Sequence, residues 1–304
     1  MSELGLKGMG WMPDYPDFRD YTPDQENVSD KLQSVGQKES IKSMLKKVGV
    51  AEVKKLGLDA RIDLRNRCTP IEDQGNLGSC TAQAAVGLVE YYEKNAFNKY
   101  VDGSRLFLYY VTRRLLNWTG DTGGYLRTTM QAMVLFGVPP EEYYPYKPED
   151  LDKDPGAFVF AFAQNYQALQ YYRYDATGTS TTDLLARIKT NLAAGMPAMF
   201  GFVVYSSIAQ AGQTGKIPYP VNGEKRVGGH AVVAVGYDDN LKIKNNNTCA
   251  VESKGALLIR NSWGTGWGEQ GYGWLPYEYV LKGLAVDWWS LLKNEWIDTG
   301  AFKA

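Results

Sequence analysis

The apolar residues of this chain recur with one period in its first half and with another in its second. Downstream of Cys80, small or apolar side chains at Ala82, Ala85, Val86, Val89 and Tyr92 keep the i, i+3, i+4, i+7 spacing of a buried helix face. Cys80 then falls at the N-terminus of that helix. The same reading predicts helices around Leu106–Leu116 and Leu126–Phe136, the second stopping at Gly137 ahead of Pro139-Pro140. Later in the chain, Ala198–Tyr205, Ala231–Tyr237 and Ala256–Arg260 are short apolar runs bounded by turn residues, the signature of strands. The polar stretch Asp238–Gly255, with Asn245-Asn246-Asn247, reads as an exposed loop. A helical half followed by a strand-rich half predicts an α+β fold of two lobes.

Residues 1–58 have a different texture. Trp11-Met12-Pro13-Asp14-Tyr15-Pro16-Asp17-Phe18-Arg19-Asp20-Tyr21 is rich in turn formers and aromatics, and reads as an extended segment laid on a surface. After it, Ile41, Met44, Leu45, Val48, Val53 and Leu56 recur at roughly helical spacing within Ser40–Leu56, with Gly49 as a weak point. One or two short amphipathic helices are expected there, marginal unless docked on a folded body. The division expected is an N-terminal extension over 1–58 and a folded domain over 59–304. Within the latter, a helical lobe covers about 75–170 and a β-rich lobe about 171–304 together with 59–74.

Composition narrows the function classes. Lys and Arg number 33 against 34 Asp and Glu, for a formal net charge of −1, and no long basic run stands out. Neither nucleic acid nor an anionic membrane surface is a natural partner. No stretch approaches the ~20 consecutive apolar residues that span a bilayer. Met1–Lys7 lacks a signal-peptide core, so a cytoplasmic protein, or a secreted one with its signal removed, is expected. One histidine and three cysteines are too few for a His-rich metal site or a disulfide scaffold. No cofactor is expected, Cys68 and Cys249 are left either bridged or as two buried thiols, and a monomer is the default.

Chemistry converges on Cys80. At a helix N-terminus, unpaired N–H groups and the dipole favour thiolate over thiol when an imidazole assists; the bland reading is a small buried residue. Gln74, six residues upstream, can offer its amide N–H beside the Cys80 N–H to a developing oxyanion. His230, the only imidazole in the chain, follows Gly228-Gly229 and opens a strand; a structural strand-edge histidine is the plain alternative. Asn261 ends the next strand, where its amide would orient the ring and Trp263 would shield that hydrogen bond. Such a cysteine and histidine, far apart in sequence, suit a site assembled across a cleft.

Gln74–Cys80, Gly229–Tyr237 and Asn261–Gly268 resemble, in order and spacing, the three active-site blocks of papain-like cysteine peptidases. Ser104–Tyr110 and Gly273–Tyr279 are similar to bacterial and archaeal members of the xylellain type. The resemblance implies a papain-like fold, a helical lobe and an antiparallel β-barrel-like lobe with the active-site cleft between them. It implies a cysteine-type peptidase acting through a thioester acyl-enzyme on protein or peptide substrates. Cys80 would be nucleophile, His230 general base and acid, Asn261 ring orienter and Gln74 oxyanion donor. Gly123-Gly124 aligns with the glycine pair that binds an extended substrate. Tyr125, Gly201 and Gly228 would then lie near the pocket for the second side chain upstream of the cut, with Gly229 and Trp263 as further substrate-binding candidates. Leu77 and Asp121 stand where plant and lysosomal members pair two cysteines, and Thr81 replaces the usual Trp. Residues 1–58 would either cover the cleft as a prosegment or brace the fold elsewhere. The alternatives are an acyltransferase using the same Cys–His pair, and a non-catalytic homologue that binds peptides.

Overall fold

The computed structural model describes residues 7–34, 37–50, 57–166, 170–247 and 252–302. Its strands are β1 (Arg61–Asp63), β2 (Gln170–Arg173), β3 (Ala198–Tyr205), β4 (Arg226–Lys244), β5 (Glu252–Arg260), β6 (Tyr272–Pro276) and β7 (Ala285–Leu292). They form one antiparallel sheet in the order β2-β7-β3-β4-β5-β6, with β1 paired to β4. β3 coincides with its predicted run. β4 and β5 extend beyond theirs, because Lys242–Lys244 pairs with Glu252–Lys254. Much of the expected Asp238–Gly255 loop is therefore a hairpin arm, which alternating polar residues hid from a reading based on apolar runs. Asn245, expected exposed, is buried, and its amide donates to Tyr219 O and Glu224 while its carbonyl accepts from Gln210.

The helices predicted after Cys80 and around Leu106–Leu116 and Leu126–Phe136 lie within a few residues of their expected bounds, whereas Thr181–Ala193 and the shorter helices outside Ser40–Leu56 were not predicted. From the extension come α1 (Asp30–Ser34) and α2 (Ile41–Lys47), the latter burying Ile41, Met44 and Leu45 against the body. The remainder of that amphipathic stretch, 51–56, lies outside the described residues, as does Cys249. Cys68 is a free buried thiol. The helical lobe holds α3 (Cys80–Phe97), α4 (Arg105–Leu115), α5 (Leu126–Phe136) and α6 (Ala157–Ala163). Ser104 caps α4 by accepting the Phe107 N–H, and α5 ends at Gly137 with φ 78°. α7 (Thr181–Ala193) and α8 (Tyr277–Leu281) pack on the sheet, and α9 (Asn294–Asp298) packs on α3 and α2, stacking Trp296 on Tyr92, to complete an α+β fold of two lobes.

α3 is buried continuously from Cys80 to Leu88, which places it at the junction of the lobes. Its small residues are what permit this. At Gly87 a Cβ would stand 2.1 Å from Arg260 Nη1, and Arg260 donates in turn to Thr69 Oγ1 and Pro70 O. Since Asn261 follows Arg260 directly, that contact fixes the end of β5 against the helix that carries Cys80.

Candidate active site

Cys80 opens α3, but Ser79 does not cap the helix. Its hydroxyl is held by Tyr146 Oη at 2.6 Å, and Tyr146 also donates to Gln74 O at 3.0 Å. Asp121 accepts the Gly78 N–H at 2.9 Å and the Tyr109 hydroxyl at 2.7 Å. These hydrogen bonds pin the Gln74–Ser79 loop at the place where Leu77 and Asp121 replace a disulfide pair.

His230 lies within β4, fully buried. Its Nε2 is 2.7 Å from Asn261 Oδ1, which also accepts the Ser262 N–H at 2.8 Å. An oxygen that accepts from a backbone N–H is fixed as the carbonyl side of the amide, so Nε2 must carry the ring proton. Nδ1 then keeps its lone pair, and no protein group bonds it. Trp263 stacks on the ring with centroids 4.6 Å apart, shielding the Nε2–Asn261 bond. The Ala231 N–H, next along from His230, points at the Cys80 sulfur.

Gln74 is oriented from both ends. Its Oε1 accepts from Ser262 Oγ at 2.6 Å, and its Nε2 donates to Leu77 O at 2.7 Å and Gly8 O at 2.9 Å. Ser262 thus touches both Asn261 and Gln74. Sequence reasoning passed over it, although its place directly after Asn261 was the available signal.

Gly8 belongs to a strap that fills the cleft. Gly8 N donates to Gly75 O, Gly124 N to Gly10 O, Met12 N to Gly124 O and Trp11 N to Gly229 O. The Gly10 N–H lies 3.3 Å from Cys80 Sγ. The fit depends on missing side chains on both partners. A Cβ on Gly10 would sit 2.0 Å from Gly78 O, and one on Gly123 2.1 Å from Gly10 O. Gly201 and Gly229 face the Trp11 indole, and Gly228 faces Met9. Beyond the cleft, Arg127 bonds Asp14, Asp20 and Tyr15 O, anchoring the strap's exit. Gly123, Gly124, Gly201, Gly228, Gly229 and Trp263 therefore all lie along the strap (Trp263 Nε1 is 3.4 Å from Gly8 O). Tyr125 instead rests its ring on Trp118.

Under this cover the site is electrically quiet. Burial pushes the Cys80 thiol up to about 11, outweighing the backbone N–H groups around the sulfur. It also draws His230 down to about 4, against the pull of Asn261. Burial in the covered site thus favours the neutral thiol and imidazole over the charged pair. Among the described residues no cluster of His, Cys, Asp or Glu is arranged to hold a metal, and no helix is long and apolar enough to cross a membrane.

The sequence profile described as "Papain family cysteine protease" matches residues 58–281. An uncharacterized peptidase C1-like protein of Acanthamoeba polyphaga mimivirus is 34% identical over 254 residues, 79% of this chain and 76% of the viral protein. Papain of Carica papaya is 30% identical over 67% of this chain and 50% of its own length. Among solved structures, xylellain, a cysteine protease from Xylella fastidiosa, superposes with a TM-score of 0.70. It shares 30% identity and aligns over 94% of this chain and 96% of its own.

Proposed function

Given that the chain belongs to the papain family of cysteine proteases, and is a cysteine-type peptidase, we propose that Cys80, His230 and Asn261 form its catalytic triad and that the N-terminal strap holds it as a zymogen. With the cleft open, His230 Nδ1 takes the Cys80 proton. The thiolate attacks the scissile carbonyl carbon, and negative charge builds on its oxygen between Gln74 Nε2 and the Cys80 N–H. The imidazolium gives its proton to the departing amine, leaving a thioester. Water then attacks that thioester, with His230 taking the water's proton and returning one to sulfur as the acid leaves. Asn261 keeps the proton on Nε2 throughout.

The observation that carries the zymogen reading is the strap's chemistry against Cys80. The sulfur faces an amide N–H, that of Gly10, and Gln74 holds the carbonyl of Gly8, two residues away. A productive substrate needs one carbonyl at both places. The strap also runs backwards. In the family pattern the Gly201 pocket takes a side chain upstream of the cut, whereas the strap fills it with Trp11, downstream of the residue at Cys80. It blocks the cleft without presenting a bond to cut. In this reading residues 1–58 are the prosegment and 59–304 the catalytic domain.

The test is hydrolysis of a pooled fluorogenic peptide library, under reducing conditions, by wild type and Cys80→Ala, before and after limited proteolysis of the N-terminal segment. Cleavage that depends on Cys80 and rises on trimming is expected. Turnover surviving in Cys80→Ala would overturn the nucleophile, and equal turnover before and after trimming would overturn the zymogen.

A further inference from the structure

Trp11, the strap's aromatic side chain in the cleft, is only 4% exposed, and its surroundings are specific. Two walls of its pocket are bare backbone. A Cβ on Gly201 would stand 1.8 Å from the indole Cε2, and one on Gly229 2.9 Å from Cε3. The slot is therefore flat and matched to a planar ring. Its floor is polar: Trp11 Nε1 donates to Asp287 Oδ2 at 3.1 Å.

Asp287 is built to present that oxygen. It is fully buried in β7 with φ 63°, a left-handed conformation that an aspartate rarely adopts inside a strand. The β3–β7 register shifts beside it, between Met199 and Gly201, so the residue lies at a bulge. Asp175 accepts the N–H groups of both Asp287 and Trp288 and holds the bulge in place. Oδ1 is committed to Trp289 Nε1 at 2.7 Å and faces Arg173 Nη1 at 3.3 Å. Oδ2 has Trp11 as its hydrogen-bond partner, and Trp11 belongs to the strap. Once the strap leaves, a buried acceptor faces the slot and needs an N–H from whatever enters.

We propose that Asp287 is the specificity-determining residue of this peptidase, selecting substrates with a planar aromatic side chain bearing an N–H, tryptophan above all, at the second position upstream of the cut. An aliphatic or phenyl side chain fills the slot but strands Oδ2, and a site built around a hydrogen bond discriminates against such an analogue. A guanidinium or ammonium would bring a second cation toward Arg173, which already lies beside Asp287 and 5.1 Å over the Trp289 ring. The pocket's floor is polar, a feature that only the fold reveals. Trp11 thus occupies the pocket as a substrate side chain would, on a backbone of opposite direction.

This proposal rests on Cys80-dependent peptide cleavage, so its test has one arm that needs no turnover. In full-length Trp11→Ala, binding of indole is compared by calorimetry with binding of benzothiophene, an isostere with sulfur in place of N–H. Indole is expected to bind about tenfold or more tightly, the usual cost of leaving a buried acceptor unpaired; Trp11→Ala combined with Asp287→Ala should remove the difference. In the second arm, activated wild type is given peptide pairs differing only in tryptophan or benzothienylalanine at that position. The tryptophan peptide should lead by about tenfold or more in kcat/KM. Equal binding or equal turnover within the pairs would overturn the proposal, as would arginine, leucine or phenylalanine outranking tryptophan. If no peptide of any kind is cleaved while indole still binds selectively, the peptidase mechanism fails and the pocket assignment stands.

Discussion

Ser262 shows how a single residue couples two parts of the site. Its N–H fixes the orientation of the Asn261 amide and its hydroxyl that of Gln74. Removing the hydroxyl leaves Gln74 Oε1 without its donor and frees the amide to turn away from the developing oxyanion. Gln74→Ala should lower kcat by about 10²–10³-fold, the usual cost of one oxyanion donor. Ser262→Ala should cost less, about tenfold by loss of one orienting hydrogen bond. Added to Gln74→Ala, it should cost almost nothing more, because it acts through that side chain. Steady-state kinetics on the four proteins check this, with iodoacetamide titration of Cys80 counting intact sites. Independent, additive losses would mean that Ser262 acts elsewhere.

Among the elements, the strap is the one whose removal ought to change activity most. Gly8 and Gly10 have cleft backbone where a Cβ would go: Leu77 O at 2.1 Å from Gly8 and Gly78 O at 2.0 Å from Gly10. Backbone at such distances cannot rotate aside as a side chain would. Gly10→Val in the uncut chain should therefore lift the strap and raise turnover by about tenfold or more, since even ~1.4 kcal/mol of lost strap affinity is a tenfold change in the open fraction. Unchanged turnover in a folded Gly10→Val would mean that the strap does not limit access. The sequence already showed much of what surrounds this element. Helices α3 to α5 were legible from their periodic apolar positions, strand β3 from its uninterrupted apolar run, and Gln74, Cys80, His230 and Asn261 because their spacing matches a known pattern. The strap's place in the cleft was not legible, since Gly8-Met9-Gly10-Trp11 has no period and its meaning lies in close approach to Gly78 and Gly123. Asp287 escaped for a related reason. Between Val286 and Trp288 it reads as the solvent face of an alternating strand, and only the bulge turns it inward.

On the scale of the whole molecule, closing the strap joins the two lobes over Cys80 and His230 and sets their protonation. In the strapped state His230 is held down to about 4, below its ordinary 6.5, by burial. Opening returns water to the ring, so the open state binds a proton more readily. The strapped state is thus fully favoured above about pH 6.5 and loses ground as pH falls toward 4. Cys80, held up to about 11 from an ordinary 9.0, loosens the strap only at the alkaline end. Asp287, raised to about 7, is subject to two opposing influences from the strap: burial lifts it, while the Trp11 hydrogen bond lowers it. Opening removes both, whereas at His230 it removes only the influence that disfavours charge. Acid opening should therefore follow the histidine. In full-length Cys80→Ala, where no self-processing intervenes, deuterium uptake at Gly8–Met12 should be slow at pH 7–8 and rise steadily from about pH 6.5 toward pH 4. Replacing His230 by Ala in the same background should flatten that rise. Uptake that rises equally without the imidazole would mean that His230 does not govern the strap's response to acid.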